Sequence, residues 1–256
     1  MIVIGLDIGS VAAKGVLLNG DKQYKVVVPT GWSPREAGEK ILEGLLEKAK
    51  CKYEQVEGII VTGYGRVSFE KASRTVTEIS CHARGVAYLY PDVRTIIDVG
   101  GQDSKVISID EKGKVLDFSM NDKCAAGTGR FLQVTANALG IDVSEMDKNE
   151  IPSEKAAINS MCTVFAESEI IGLLAQNTSK GGIIAGLHQS VARRVTGMAR
   201  RQGIKEKIAF TGGVALNKGV QRALEEELKT PVIVPEECQF TGALGAALLL
   251  SGYDLL

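Results

Sequence analysis

The 256-residue chain has almost no net charge, because 30 basic and 31 acidic side chains leave a formal charge of −1. This balance gives no electrostatic footprint for nucleic acid or anionic lipid. No apolar run approaches the ~18 residues that a membrane-spanning helix needs. The first residues also lack the basic segment that opens a signal peptide. These absences favour a globular cytoplasmic protein with neither a nucleic-acid nor a membrane partner.

Cysteine and histidine are scarce as well. The five cysteines form no C-x-x-C pair, and their odd number in a reducing compartment argues against a disulfide framework. His82 and His188 lack metal-ligand spacing, so both are expected to be structural. Hydrophobic residues make up 45% of the chain and charged residues 24%. This composition suits one large domain or two modest ones.

An internal repeat is the clearest positive feature. Residues 3–28 and 96–118 each read as a strand, an Asp-x-Gly turn, a second strand, a polar turn and a third strand. A β-meander is therefore predicted to open each half of an α/β protein. Ser33 and Pro34 predict the start of the first helix. Further helices are predicted near 130–139, 164–175, 183–201, 216–228 and 241–250, and further strands at 58–62, 207–211 and 231–234.

The two Asp-x-Gly turns indicate phosphate chemistry. Glycine lets the backbone approach a ligand, and an aspartate at a strand end can hold hydrated Mg²⁺ or orient a water. A third glycine-rich site, residues 210–217, lies between a predicted strand and a helix start and suits adenine or ribose. Each feature alone is weak, since Asp-x-Gly is usually a plain turn. The ordered set of three is much less expected by chance.

Two cysteines lie in short polar segments ahead of predicted helices. Cys124 belongs to residues 121–129 and Cys162 to residues 159–163. Backbone N–H groups and the helix dipole at a helix start favour a thiolate and any anionic assembly that thiolates hold. A free thiol, or an intrachain zinc site completed by another cysteine or a histidine, would also fit this spacing. Cys51, Cys81 and Cys238 are expected to be ordinary core or surface thiols.

The order of these motifs resembles a known superfamily. Asp7-Ile8-Gly9-Ser10, residues 98–103 and residues 211–217 resemble the phosphate-1, phosphate-2 and adenosine motifs of the actin, Hsp70 and sugar-kinase ATPases. Within that superfamily, residues 61–66, the Cys124 segment and residues 161–169 resemble the activator ATPases of 2-hydroxyacyl-CoA dehydratases and benzoyl-CoA reductases. The match spans nearly the whole chain. It implies a two-lobed actin/Hsp70/hexokinase-like ATPase fold with a duplicated meander-plus-helices unit, with lobes at 1–92 (joined by a helix at 240–256) and 93–239.

The resemblance also implies roles for individual residues. Asp7 is the expected Mg²⁺-side carboxylate, held through water, and either Gln102 or Asp103 is expected to orient the attacking water. Lys14 and Lys105 lie in alternating strands, where a lysine is usually solvated, although Lys14 is counted as a candidate nucleotide contact. The expected nucleotide-binding set is Gly9, Ser10, Lys14, Gly100, Gly101, Gly127, Gly129, Gly212, Gly213, Val214 and Asn217.

Members of the activator family place two cysteines from each subunit of a homodimer around one [4Fe–4S] cluster. The motif cysteines here are Cys124 and Cys162. The implied activity is ATP hydrolysis, with ATP/ADP and Mg²⁺ at the nucleotide site, coupled to delivery of low-potential electrons. The implied acceptor is a cluster-containing dehydratase, a benzoyl-CoA reductase or a double-cubane protein, and the implied donor is reduced ferredoxin or flavodoxin.

Two other functions fit parts of the same sequence. A small-molecule kinase of this fold would use Asp98 or Asp103 as a general base on a hydroxyl substrate, with no need for paired cysteines. A nucleotide-gated redox or metal sensor would keep the cysteines but would show no fast ATP turnover and no electron acceptor. Iron content and ATPase activity separate these readings.

Overall fold

The structure is a computed structural model in which residues 1–159 and 162–251 are described. Contacts between Cα atoms divide it into two compact units. The first holds residues 1–96, 107–117 and those from 235 onward, and the second holds residues 97–106 and 118–234. The lobe boundaries anticipated above stay a prediction. Ser160 and Met161 of the second cysteine segment, and residues 252–256 of the predicted C-terminal helix, lie outside the described residues.

The first sheet has five strands in the order β3-β2-β1-β4-β5. The strands are β1 (Ile2–Ile8), β2 (Ala12–Asn19), β3 (Lys22–Pro29), β4 (Gly58–Thr62) and β5 (Arg74–Thr75). Neighbours within β1-β2-β3 are antiparallel, whereas β4 runs parallel to β1. β1 is buried from Val3 to Ile8, as expected of an apolar strand covered on both faces. The first predicted meander is confirmed.

Three helices cover this sheet: α1 (Pro34–Ala49), α2 (Glu78–Leu89) and α7 (Thr241–Leu248). The predicted start of α1 is confirmed, because the Ser33 hydroxyl accepts a hydrogen bond from the Glu36 N–H at 3.2 Å and Pro34 is the first helical residue. α2 and α7 touch through their backbones, since a Cβ at Gly85 or Gly245 would overlap a carbonyl of the other helix. This close approach holds the α2–α7 pair against β1 and β4.

The second sheet repeats the order of the first. Its strands run β8-β7-β6-β9, with β6 (Thr95–Val99), β7 (Ser104–Ile109), β8 (Val115–Asn121) and β9 (Ile208–Thr211). The predicted strand at 231–234 is wrong as a full strand: it forms an isolated bridge between Ile233 and Ala209. Two backbone hydrogen bonds of 2.8 Å still hold Ile233 beside β9. The second meander is confirmed, and with it the duplication.

Between the second meander and α7, the described residues form four helices: α3 (Gly129–Leu139), α4 (Thr163–Ala175), α5 (Lys180–Gln202) and α6 (Lys218–Leu228). α5 begins three residues before its predicted start, because Ser179 caps it by accepting from the Gly182 N–H at 3.0 Å. α4 buries only Ala166 and Ile170, although its sequence is apolar on most sides. Within the described part of the chain, no helix combines the length and apolarity needed to cross a membrane.

Candidate functional site

The repeat places an aspartate–lysine pair in the first unit. Asp7, near the end of β1, lies directly opposite Lys14 on β2, and Lys14 Nζ is 3.4 Å from Asp7 Oδ2. Asp7 is buried and the Lys14 side chain is only 16% exposed. The expectation of a solvated Lys14 is therefore wrong. An ammonium this close to the carboxylate fixes the orientation of Asp7 and offsets its charge.

The second unit repeats the pair and adds a third charge. Lys105 Nζ is 3.4 Å from Asp98 Oδ2 and 2.8 Å from Asp103 Oδ2. Lys105 is almost completely buried, so the expectation of a solvated lysine fails here too. The Thr211 hydroxyl donates to Asp98 Oδ1 at 2.9 Å. Asp98 is thus held from both sides inside the unit, whereas the Asp103 side chain keeps 26% of its surface exposed.

Asp7 and Asp98 each also lie close to a glycine that follows the neighbouring strand of the sheet. Gly63 after β4 and Gly212 after β9 have φ of +86° and +88°, a region that L side chains rarely adopt. A Cβ at Gly63 would lie 2.5 Å from Asp7 Oδ1, and one at Gly212 would overlap the Val99 carbonyl oxygen. The repeat therefore includes Thr62-Gly63 and Thr211-Gly212. Sequence reasoning missed this pairing, although an apolar strand ending in Thr-Gly was its visible signal.

The loops predicted to bind phosphate lie just after the aspartates. Gly9 and Ser10 connect β1 to β2, and Gly100 and Gly101 follow β6. All four are partly exposed, so their backbones can be reached by a ligand. In the second unit the turn is closed by a hydrogen bond of 2.9 Å from the Gly100 N–H to the Asp103 carbonyl. Gln102 at its tip is exposed.

The adenosine motif has two glycines with different surroundings. A Cβ at Gly213 would meet no atom within 4 Å, in contrast to Gly212. Val214 is buried. Asn217 caps α6, accepting from the Val220 N–H at 3.0 Å, while its amide nitrogen lies 3.2 Å from His188 Nε2. Part of the Asn217 amide is therefore already engaged within the protein, which leaves one N–H and one lone pair for a ligand.

Replacement of Gly213 by valine is expected to weaken ATP binding with little effect on the fold. The space beside Gly213 is open, so an added isopropyl group would enter the volume that the adenosine motif is predicted to offer a purine, rather than clash with protein. We expect a dissociation constant for an ATP analogue raised about tenfold or more, as for other overpacked sites. Isothermal titration of the valine variant, with Gly213→Ala as the smaller step, measures this effect.

Gly212→Val is the matched control for that experiment. It forces a branched residue to φ +88° and onto the Val99 carbonyl, so we expect loss of folded protein rather than selective loss of affinity. Wild-type affinity in Gly213→Val would argue against an adenosine site at this turn.

Cys124 does not lie at a helix start, contrary to the sequence-based expectation. α3 begins at Gly129 with Thr128 as its N-cap residue, so Cys124 sits in the preceding loop. The Asn121 side chain donates to the carbonyls of Cys124 and Ala126 at 2.7 and 3.0 Å. Gly127 has φ +80°, and a Cβ there would lie 2.8 Å from Arg194 Cγ, which gives it a structural reason to be glycine. The Cys124 loop is thus anchored through its backbone, and its thiol is partly exposed.

The first turn of α3 binds the phosphate-loop candidate directly. The Gly129 N–H donates to the Gly100 carbonyl at 2.9 Å, and the Arg130 N–H donates to the Gly101 carbonyl at 2.7 Å. These two N–H groups are therefore not free to receive an anion. They connect the Cys124 loop to the Asp-x-Gly turn within one unit.

Cys162 does occupy a helix start. It is the N-cap residue of α4, its carbonyl accepts from the Ala166 N–H at 2.9 Å, and its side chain makes no capping hydrogen bond. The thiol is exposed. Of the two motif cysteines, Cys162 is therefore the one that the structure places at a helix N-terminus.

The other three cysteines belong to the first unit. Cys81 on α2 and Cys238 are buried, and Cys51 after α1 is half-buried. Burial raises the pKa of the Cys81 thiol to about 12, so it stays protonated and unreactive near neutral pH. Over residues 1–159 and 162–251, no group of three or more His, Cys, Asp or Glu side chains is placed to hold a metal ion. The described residues therefore offer no complete zinc site in a single copy.

Both histidines make hydrogen bonds inside the protein. His82 Nδ1 is 3.0 Å from the Thr241 hydroxyl, and fully buried His188 lies between Glu150 Oε1 at 3.0 Å and the Asn217 amide. His188 and Arg222, through hydrogen bonds, hold the pKa of Glu150 below its usual value against the opposing effect of burial. These contacts fit the expected structural roles.

Two matching sheets, each with an Asp-x-Gly loop and a Thr-Gly turn, define the class of actin, Hsp70 and sugar-kinase-like ATPase folds. More narrowly, residues 4–249 match the BadF/BadG/BcrA/BcrD ATPase family, and the chain belongs to that family.

Two curated relatives are similar over nearly their whole length. The 2-hydroxyisocaproyl-CoA dehydratase activator of Clostridioides difficile is 46% identical over 97% of this chain and 94% of its own. The (R)-2-hydroxyglutaryl-CoA dehydratase activating ATPase of Acidaminococcus fermentans is 48% identical over 96% and 95%, respectively.

A solved structure agrees with the fold. The activator of the 2-hydroxyisocaproyl-CoA dehydratase from Clostridium difficile, with bound ADPNP, matches with a TM-score of 0.91 at 45% identity. The match covers 97% of this chain and 94% of that one.

Proposed function

We propose that the protein hydrolyses ATP to drive low-potential electrons into a partner enzyme, through a [4Fe–4S] cluster shared by two copies of the chain. Cys124 and Cys162 of each copy would hold the cluster. The acceptor is a cluster-containing dehydratase, a benzoyl-CoA reductase or a double-cubane protein, and the donor is reduced ferredoxin or flavodoxin. Membership of the ATPase family and the similarity to dehydratase activators support this proposal.

One observation carries the coupling between ATP and the cysteines. The first two N–H groups of α3 donate to the carbonyls of Gly100 and Gly101, and the Cys124 loop leads directly into that helix. A displacement of the glycine loop by a γ-phosphate would therefore move α3 and the chain segment carrying Cys124. Packed elements and hydrogen bonds transmit such shifts over short distances.

The cysteine chemistry fits an iron–sulfur cluster. Cys124 is partly exposed and Cys162 is exposed, so both thiols are accessible. A cubane needs four thiolates, whereas one copy offers two accessible thiols in its second unit. A two-fold axis supplies the remaining two. When bound, the cluster provides a one-electron carrier, which none of the protein's own side chains supplies.

The oxygen chemistry likewise fits Mg²⁺ and ATP. Asp7 is a carboxylate at a strand end, and Lys14 fixes one of its oxygens. A hard divalent cation prefers such oxygen ligands, often through water. The partly exposed backbones of Gly9, Ser10 and Gly101 offer N–H groups to phosphate oxygens, whereas the Gly100 N–H closes its own turn.

The residues then divide the work of hydrolysis. The glycine loops bind and orient the phosphates, and a side chain of the second loop orients the attacking water. Asp7 would hold Mg²⁺, which would supply charge stabilisation when bound. Phosphoryl transfer needs little more than such positioning and charge stabilisation from the protein. Each cycle therefore yields a reduced acceptor, and the protein releases ADP and phosphate.

Anaerobic purification followed by iron, sulfide and ATPase assays tests the proposal. We expect about four iron and four sulfide per dimer, together with ATP hydrolysis and ATP-dependent reduction of a dehydratase or reductase acceptor. A colourless, iron-free ATPase that phosphorylates a hydroxyl compound would instead support the kinase reading. Bound iron without ATP turnover would support a sensor.

A further inference from the structure

The two repeats differ at one charged position. Counting from the repeated aspartate, Asp103 in the second unit corresponds to Ala12 in the first, while Lys105 corresponds to Lys14. In both turns a glycine, Gly9 or Gly100, stands two residues after the aspartate. The first unit thus has one carboxylate beside its lysine, and the second has two, Asp98 and Asp103.

Lys105 holds these two carboxylates unequally. Its ammonium is 2.8 Å from Asp103 Oδ2 and 3.4 Å from Asp98 Oδ2. Asp98 also accepts from Thr211 and is almost fully buried, so it serves as an interior support for the lysine. Asp103, by contrast, is partly exposed. Of the two carboxylates, only that of Asp103 can contact a water molecule and a substrate.

The free oxygen of Asp103 points toward the phosphate-loop candidate. A Cβ at Gly100 would lie 2.7 Å from Asp103 Oδ1, so this oxygen lies against the Gly100 backbone and depends on the absence of a side chain there. Lys105 engages the other oxygen, Oδ2. A carboxylate held at one oxygen presents the other in a fixed direction, which is what positioning a nucleophile requires.

Gln102 lacks comparable support. Its side chain is exposed at the tip of the turn, and across the described ranges it makes no hydrogen bond or ion pair that would fix it. If Gln102 oriented the water, its side chain would lose conformational entropy at each turnover. Asp103 has already lost that entropy, because Lys105 holds it in the folded protein.

We propose that Asp103, rather than Gln102, orients the attacking water, and that buried Lys105 is its positioning residue. This inference rests on the proposed ATP hydrolysis. Lys105 does not touch the substrate; it acts by holding Asp103 against the Gly100 turn. Asp98, itself held by the Thr211 hydroxyl, is the second carboxylate beside the lysine.

Steady-state ATPase kinetics of single and double variants test the assignment. We expect Asp103→Asn to lower kcat about 10²-fold, the usual effect of losing a group that handles the reacting water. KM for ATP should change less than about threefold, since ground-state binding is untouched. Lys105→Met should cause a similar loss of kcat. Gln102→Ala should lose much less than either.

The double variant Lys105→Met/Asp103→Asn distinguishes loss of Asp103 positioning from a general loss of folded protein. Residues that act as one unit are strongly non-additive, so its kcat should match that of Asp103→Asn within about threefold. Lys105→Met alone leaves two carboxylates without their ammonium and can unfold. The double variant leaves one, so its thermal midpoint should exceed that of Lys105→Met. Lys112→Met, an exposed lysine of the next turn, is the matched control and should keep wild-type kcat and stability.

Two outcomes overturn the inference while leaving ATP hydrolysis intact: Asp103→Asn with kcat within threefold of wild type, or a double variant whose loss is the product of the single losses. Wild-type protein that fails to hydrolyse ATP under anaerobic conditions overturns the proposed function and this inference together.

Discussion

Cys124→Ser and Cys162→Ser, purified without oxygen, should each lose the bound iron and the visible chromophore, and with them all ATP-dependent electron transfer. A serine hydroxyl at neutral pH does not replace a thiolate as a cluster ligand. Loss at one position removes two of four ligands, because the two-fold axis duplicates the change. Iron and sulfide analysis with visible absorption measures the result.

The fold should survive both substitutions. Cys162 is an N-cap residue whose thiol makes no capping bond, and serine is a preferred residue at that position. Cys124 is held through its backbone carbonyl by Asn121, a contact that does not depend on the side chain. Circular dichroism and thermal midpoints near those of wild type are therefore expected, which separates loss of the cluster from loss of structure.

Cys51→Ser, Cys81→Ala and Cys238→Ala are the matched controls. These cysteines lie in the first unit, and burial holds the Cys81 thiol protonated with a pKa of about 12. Each control should keep full iron content. A normal cluster in Cys124→Ser, or its loss in Cys51→Ser, would contradict the ligand assignment.

Asp7→Asn should nearly abolish Mg²⁺-dependent ATP hydrolysis. Metal-assisted charge stabilisation is worth several kcal/mol, so we expect kcat to fall about 10²-fold or more. Alanine is a poorer test, because Asp7 is buried beside Lys14 and Gly63. Removing the carboxylate entirely would strand a largely buried ammonium and destabilise the unit. Asparagine keeps the shape and an acceptor oxygen for Lys14.

Asp21→Asn, in the exposed turn between β2 and β3, is the matched control for Asp7→Asn and should hydrolyse ATP at the wild-type rate. Hydrolysis is followed as phosphate release across a range of Mg²⁺ concentrations. An Asp7→Asn protein that turns over normally at every Mg²⁺ concentration would remove Asp7 from the metal side of the site.

Local sequence patterns predicted most of the strands and helices. Alternation and Asp-x-Gly spacing located both meanders, and Ser33-Pro34 located the start of α1. Each of these features depends on residues close together in sequence. The fragment at 231–234 had strand composition but gained only one bridge, because pairing depends on the neighbouring chain rather than on composition.

The electrostatic core of the site was less accessible to sequence reasoning. Whether a lysine on an alternating strand is solvated depends on what covers the strand, which is a long-range property. The seven-residue spacing from Asp7 to Lys14 and from Asp98 to Lys105 was nevertheless visible, and antiparallel pairing across a tight turn makes those positions face each other. The position of Cys124 was misjudged for a different reason: α3 begins at Gly129, within one residue of its predicted start, and the loop through Gly127 and Thr128 separates Cys124 from it.

The central claim is that nucleotide state acts on the cysteines through α3. Its most direct test compares the rate at which an external chelator removes iron from the reduced dimer in nucleotide-free, ADP-bound and ATP-analogue-bound protein. Ligands on a two-fold axis cannot keep their relative angles when both copies move their α3 helices. We expect different rates in the three states, with the ATP-analogue form losing iron fastest. Equal rates in all three would contradict the coupling and leave a static electron store.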